Sequence, residues 1–135
     1  MDEVRQTAKG HHAFFVVEDV SSTIDFYTRR LGFTVNFQQT IDGDDSPSFC
    51  ILGRDNIAIM FKAILPGIRP TPNAANHSWA RWDAYVTIRD PDGLFEEFKG
   101  RGVEFHRELE DTADGLRAFE VKDNSGYVLC FGRRV

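Results

Sequence analysis

The stretch HAFFVVEDVSSTIDFYTRRLGFTV, residues 12–35, is answered further along the chain by DAYVTIRDPDGLFEEFKGRGVEF, residues 83–105. Asp19 and Asp90 stand 71 positions apart, and so do His12 and Asp83; one residue is dropped before Gly102. A repeat at fixed spacing sets the architecture before any single propensity does. Each copy opens with an apolar run and passes through an acidic turn into a helical pattern. In the first helix Ile24, Tyr27 and Leu31 fall on one face, with Ser21 or Ser22 expected as the cap. In the second, Asp90 caps, Pro91 takes the first helical position, and Leu94, Phe95 and Phe98 form the apolar face.

Beyond each helix the pattern changes to strand-like alternation. Residues 33–38, 48–52 and 57–61 read as strands of the first copy, and residues 103–109, 116–121 and 127–131 as strands of the second. The runs Asp42-Gly43-Asp44-Asp45, Gly53-Arg54-Asp55-Asn56, Asp114-Gly115 and Asn124-Ser125-Gly126 supply turn chemistry between them. The expected class is therefore α+β: two βαβββ modules, residues 10–64 and 82–135, joined by a linker over 65–81 that holds Pro66, Pro70 and Pro72. A unit of about 50 residues is marginal alone. Two units sharing a core, or exchanging with a second chain, is the economical arrangement.

The 135-residue length suits one structural domain, and a net charge of −5 argues against a nucleic-acid binder, which needs a basic footprint. Twelve phenylalanines are more than packing usually requires and suit either a core or an apolar ligand cavity. The opening residues Met1 to Lys9 are polar, and the longest apolar run, Ala13 to Val17, is too short to span a bilayer. A cytoplasmic protein with Cys50 and Cys130 reduced and no membrane partner is the expectation.

Val17-Glu18-Asp19-Val20 with Asp25-Phe26-Tyr27, then Leu31-Gly32-Phe33, then Asp123-Asn124-Ser125-Gly126 with Leu129-Cys130-Phe131-Gly132 resemble the vicinal oxygen chelate superfamily. This is the glyoxalase/bleomycin-resistance/dioxygenase group, and the likeness covers residues 10–135, most closely its bleomycin-resistance-like members. The resemblance implies two curled mixed sheets around a cleft, helices on the outer faces, and a homodimer. For the enzymes of the group it also implies one divalent metal held by the first and last strands of each module. Carried over position by position, His12 stands at the first-strand place of module one. Asp83 stands where module two usually has histidine, and Cys130 where it usually has glutamate. The remaining glutamate place falls at or beside Ala58 and Met60.

This departure sets two expectations. The first is a metal-free protein that binds a cationic or aromatic small molecule, antibiotic sequestration included, through His12, Phe14, Met60, Trp79, Asp83, Tyr85, Glu120 and Cys130. The alternative is a metal-dependent lyase, isomerase or dioxygenase that holds Zn, Mn, Ni or Fe on a rearranged set of His12, Asp83 and Glu120. Whether the chain is an enzyme is left open. Alternation places Glu120 with Ala118 on one face of its strand. The resemblance implies that this face is the concave one, where Glu120 is the candidate for acid/base work with a raised pKa. The plainer expectation is a solvent-exposed edge residue. Cys130 is expected as a small buried hydrophobe. His12 is expected to be hydrogen-bonded in the cleft, and Trp82 is assigned to core packing.

Overall fold

The computed structural model describes residues 7–41, 43, 45–64 and 67–135. The opening residues Met1 to Gln6, the turn residues Asp42 and Asp44, and the first linker residues Leu65 and Pro66 lie outside them. The elements run β1 (Ala13–Val16), α1 (Val20–Leu31), β2 (Thr34–Thr40), β3 (Pro47–Arg54) and β4 (Ile57–Lys62). A short α2 (Asn73–Asn76) comes next, and then β5 (Ala84–Thr87), α3 (Pro91–Gly100), β6 (Phe105–Asp111), β7 (Leu116–Lys122) and β8 (Val128–Arg134). They form two four-stranded sheets, ordered β1-β4-β3-β2 and β5-β8-β7-β6. In each, the first strand pairs parallel with the last and the other pairings are antiparallel. The expected α+β class and the βαβββ plan of each module are present.

Local chemistry explains the helix ends. Asp19, not Ser21 or Ser22, caps α1: its carboxylate accepts from Ser21 N at 3.0 Å, while the Ser22 and Thr23 hydroxyls donate to its carbonyl. A carboxylate just ahead of the first free N–H groups is the better acceptor at the positive end of a helix. Asp90 caps α3 in the same way through Gly93 N. Gly32 and Gly102 stand just past the two helices with φ of 69° and 78°. Only glycine adopts that left-handed turn without strain, which is why both copies of the repeat carry one there.

A single apolar cluster spans both modules, with Tyr27, Leu31, Leu52 and Phe61 from one and Phe98, Phe119, Leu129 and Phe131 from the other. The join is reciprocal. The turn after the third strand of each module reaches the helix of the other. Arg54 donates two hydrogen bonds to Glu97 on α3, at 2.6 and 2.7 Å, and a third to the Leu31 carbonyl that ends α1. Asp123, at the matching place in module two, accepts from Tyr27 Oη on α1 at 2.7 Å. Its other oxygen accepts from Ser125 N and Tyr127 N. The Tyr127 ring stacks on Phe15 at 4.4 Å between centroids, and its hydroxyl donates to the Val16 carbonyl. Tyr27 and Phe98 are the same position in the two copies, both fully buried. Only the copy that faces a carboxylate carries a hydroxyl.

The join can be tested at both of its carboxyls. Burial pushes Asp123 up, and the Tyr27 hydroxyl works against that push. Tyr27→Phe removes a donor from a buried carboxyl, so it should destabilise by about 1–3 kcal/mol in urea unfolding. The loss should grow from pH 4 to pH 7 as the carboxyl ionises. Glu97 behaves oppositely, because the Arg54 hydrogen bonds pull it from 4.5 down to about 2 against the opposing effect of burial, with Arg101 adding to the pull. A depressed carboxyl stabilises the fold above its unfolded pKa and ceases to do so as pH falls toward 2. Glu97→Gln should therefore lower stability at pH 7 and leave it unchanged near pH 2, measured by the same unfolding curves.

Candidate functional site

Strand pairing lines up four side chains across the concave face of each sheet. In module two the register Tyr85↔Cys130, Glu120↔Cys130 and Arg107↔Glu120 gives the row Tyr85–Cys130–Glu120–Arg107. In module one the equivalent pairings give Phe14–Met60–Ile51–Phe37. The same four places are apolar in one copy and mostly polar in the other. The apolar row is not closed off, for Phe14 is 56% and Phe37 49% exposed.

The polar row floors a pocket of about 840 Å³. Its lining residues all lie at or after Asn73, so the pocket is built by the linker and module two. Glu120 is its most buried charged group, at 3% exposure, which corrects the expectation of an exposed edge residue. Four donors surround it. Arg81 approaches side-on, with Nε 2.8 Å from Oε1 and Nη2 against Oε2. Trp82 Nε1 donates to Oε2 at 3.0 Å, and His106 Nδ1 lies 2.9 Å from Oε1. Burial raises the Glu120 carboxyl, but Arg81, Trp82 and His106 outweigh it and hold the group below the ordinary glutamate range. The raised pKa expected of an acid/base catalyst is therefore replaced by its opposite. A carboxylate can only accept, so the His106 proton sits on Nδ1.

Trp82 also departs from its expected role in the core. It precedes β5, where strand alternation does not yet apply. Its indole N–H is satisfied by Glu120, and its ring stacks on Tyr85 at 5.6 Å. Trp79 stands on the pocket wall 81% exposed, with the His77 ring 5.8 Å away. Cys130 lies on the floor with 1% exposure. Burial and then the Glu120 charge push its thiol up to about 12, so it is a neutral S–H at pH 7.

Of the eight residues singled out in the sequence, Trp79, Glu120 and Cys130 line this pocket, and Tyr85 flanks it behind Trp82. Phe14 and Met60 lie on the concave face of the other module. His12 is exposed ahead of β1 and away from the pocket walls. Asp83 is turned to structural work. One oxygen accepts from Asn73 N and the other from Val128 N, tying α2 to β8. The sequence reading missed Arg81, His106 and Arg107. Arg81 had a signal, since a buried strand carboxylate requires a cation and this arginine sits between two tryptophans.

The rearranged metal set does not fit an ion. Asp83 already holds two backbone N–H groups and Glu120 four donors, and His12 is not brought to either. Among the described residues no three His, Cys, Asp or Glu side chains converge as a metal site would require. Nor is any helix of those residues long and apolar enough to cross a membrane.

Each βαβββ module turns one sheet face to the shared core and lays a row of four side chains across the other. Residues 9–131 match the Glyoxalase/Bleomycin resistance protein/Dioxygenase superfamily, and the chain belongs to it. A glyoxalase-related enzyme from Clostridium phytofermentans is similar in structure at a TM-score of 0.75 and 12% identity, over 98% of this chain and 100% of that one. A bleomycin-binding protein, solved with bleomycin bound, is similar at 0.71 and 20% identity, over 95% and 100%. TioX from Micromonospora sp. ML1 is similar at 0.67 and 22% identity, over 93% and 100%. At these identities the likeness carries the fold. No functionally curated protein sequence matches the chain.

The thiols give a direct check on this geometry. Cys50 is fully buried and pushed up to about 11 by burial, and Cys130 is hardly more open. Neither should react with a disulfide reagent in the native protein at pH 8 over minutes, whereas both should titrate at once in denaturant. Rapid native labelling of Cys130 would mean that the pocket floor is open.

Proposed function

We propose that this protein binds a flat aromatic small molecule in the module-two pocket, sequestering it without covalent change, and that the binding unit is a homodimer. The observation that carries this reading is Trp79, a large ring left 81% exposed on the wall of a pocket of about 840 Å³. A drug-sized aromatic compound needs a cavity of roughly this size, with rings to stack on and few polar groups. Sequestration needs only affinity, not a group that changes protonation during turnover. Glu120, bound by four donors, suits a fixed floor better than a catalyst. A structural relative solved with bleomycin bound supports small-molecule binding on this fold. An antibiotic is the natural candidate within that class.

The apolar row supports the dimer. Phe14, Met60, Ile51 and Phe37 form a half-exposed sheet face whose layout repeats that of the polar row. Exposed faces of this kind mark interaction surfaces. A second copy brings a face of matching register and curvature. Its apolar row then closes the pocket opposite Glu120 and Arg107. A metal-dependent reaction draws no support from the donor set, because the oxygens it would need hold other partners.

Light scattering should give a solution mass of twice the chain, and Phe37→Asp should halve it and weaken ligand binding together. Tryptophan quenching and calorimetry with bleomycin and a panel of planar antibiotics should find a micromolar binder. Trp79→Ala should then weaken that binder about 3- to 10-fold, the size of one lost ring contact, without changing the unfolding curve. Silence of the whole panel at millimolar concentration would refute the binding reading.

A further inference from the structure

Resting on the binding reading above, we infer that Arg81 sets the ligand's chemistry: the pocket selects planar rings that lead with a neutral hydrogen-bond acceptor, a ring amide or quinone-type carbonyl. Nε and Nη2 of Arg81 are engaged by Glu120. Nη1 has no hydrogen-bond acceptor among the described residues. No buried side-chain nitrogen or oxygen of those residues lacks a partner, so Nη1 keeps some solvent access, and Arg81 is a lining residue of the pocket. Glu120, in contrast, offers nothing to a ligand. Its oxygens already accept from Arg81, Trp82 and His106, so an ammonium group entering the floor would have to displace one of these donors. Beside them Cys130 and Ala118 contribute a neutral thiol and a methyl. The donors the floor holds out are therefore guanidinium N–H groups: Nη1 of Arg81, fixed beside Glu120, and those of the half-exposed Arg107, which only approaches Glu110 at 3.9 Å.

Charge decides between a neutral acceptor and an anion. The Arg81 charge is matched by Glu120 in direct contact. On the rest of the lining Arg107 stands near Glu110, Asp111 is paired by Arg117 from outside the pocket, and Asp114 has no cation partner among the described residues, which leaves the rim slightly acidic. An anion would meet a donor that is already neutralised and a repelling rim. A carbonyl receives the hydrogen bond without crossing that field. The stacked Trp82–Tyr85 pair beside the guanidinium and Trp79 on the wall supply the ring contacts. Arg81 is thus a specificity-determining residue held in place by Glu120.

Four bicyclic probes of similar size separate the possibilities by tryptophan quenching: naphthalene, carbostyril with its ring amide, quinaldate with a carboxylate, and N-methylquinolinium with a fixed positive charge. Carbostyril should bind about tenfold tighter than naphthalene, the worth of one well-made hydrogen bond to a charged donor. Arg81→Lys keeps a cation for Glu120 but lacks the separate Nη1 arm that side-on pairing leaves over, and its ammonium is drawn onto the carboxylate, so it should cut the preference for carbostyril over naphthalene. Equal binding of carbostyril and naphthalene by the unaltered protein overturns the inference, whether or not the lysine variant folds. So does tightest binding of quinaldate or of N-methylquinolinium. If none of the four quenches at millimolar concentration, aromatic binding itself fails and takes this inference with it. If all bind alike, only the role given to Arg81 fails.

Discussion

Asp123 is a buried carboxyl group, and the junction between the modules is organised around supplying it with donors. One oxygen is taken by the turn that carries it, through Ser125 N and Tyr127 N; the other is taken by Tyr27 from the opposite module. A carboxylate shut away from water without partners would cost several kcal/mol. The hydroxyl that prevents this sits on α1, so α1 cannot leave without exposing the deficit. Arg54 and Glu97 make the reciprocal contact at the other end of the join. Packing alone would let the two modules slide over each other. These directional contacts fix how the two modules meet, while the wall that carries Trp79 and Arg81 is held within the second half of the chain by Asp83, through Asn73 N and Val128 N.

A second buried carboxylate, Glu120, organises the pocket by the same logic with different partners. Asp123 is served mainly by neutral donors and stays raised, whereas Glu120 has a guanidinium in direct contact and is lowered. One group joins two modules and the other fixes a floor. In both cases burial is tolerated because the oxygens are filled, and in both the filled oxygens are no longer free for chemistry.

The fold was legible because the repeat is written in features that sequence displays directly: an aspartate ahead of each helix at fixed spacing, a glycine after it, and alternation in the strands. The site was legible only in part. Inside strands the period of two is reliable, and Glu120 and Tyr85 do share one row with Cys130, which the family resemblance had set at a site position. Alternation failed at Trp82 and Asp83, which precede β5 and take their directions from hydrogen bonds with Glu120, Asn73 and Val128. His12 was expected near them by analogy with its place in the repeat, but it too lies ahead of its strand. Arg81 was overlooked because a linker arginine gives no periodic signal. Its importance comes from a partner 39 positions away.

The alternation of the sheets has a consequence for how such a protein can change. In the inner strands residues such as Phe61, Leu52, Phe119 and Phe131 belong to the shared core and are constrained by packing, while neighbours such as Met60, Ile51, Glu120 and Cys130 form the rows on the opposite face. Mutations in the rows therefore drift at less cost to folding than mutations in the core. The two copies show the range the same four places allow: Phe14, Met60, Ile51 and Phe37 in one, Tyr85, Cys130, Glu120 and Arg107 in the other. A lineage built this way can acquire a new chemical taste by altering a few side chains, with its ancestry still readable in the layer beneath.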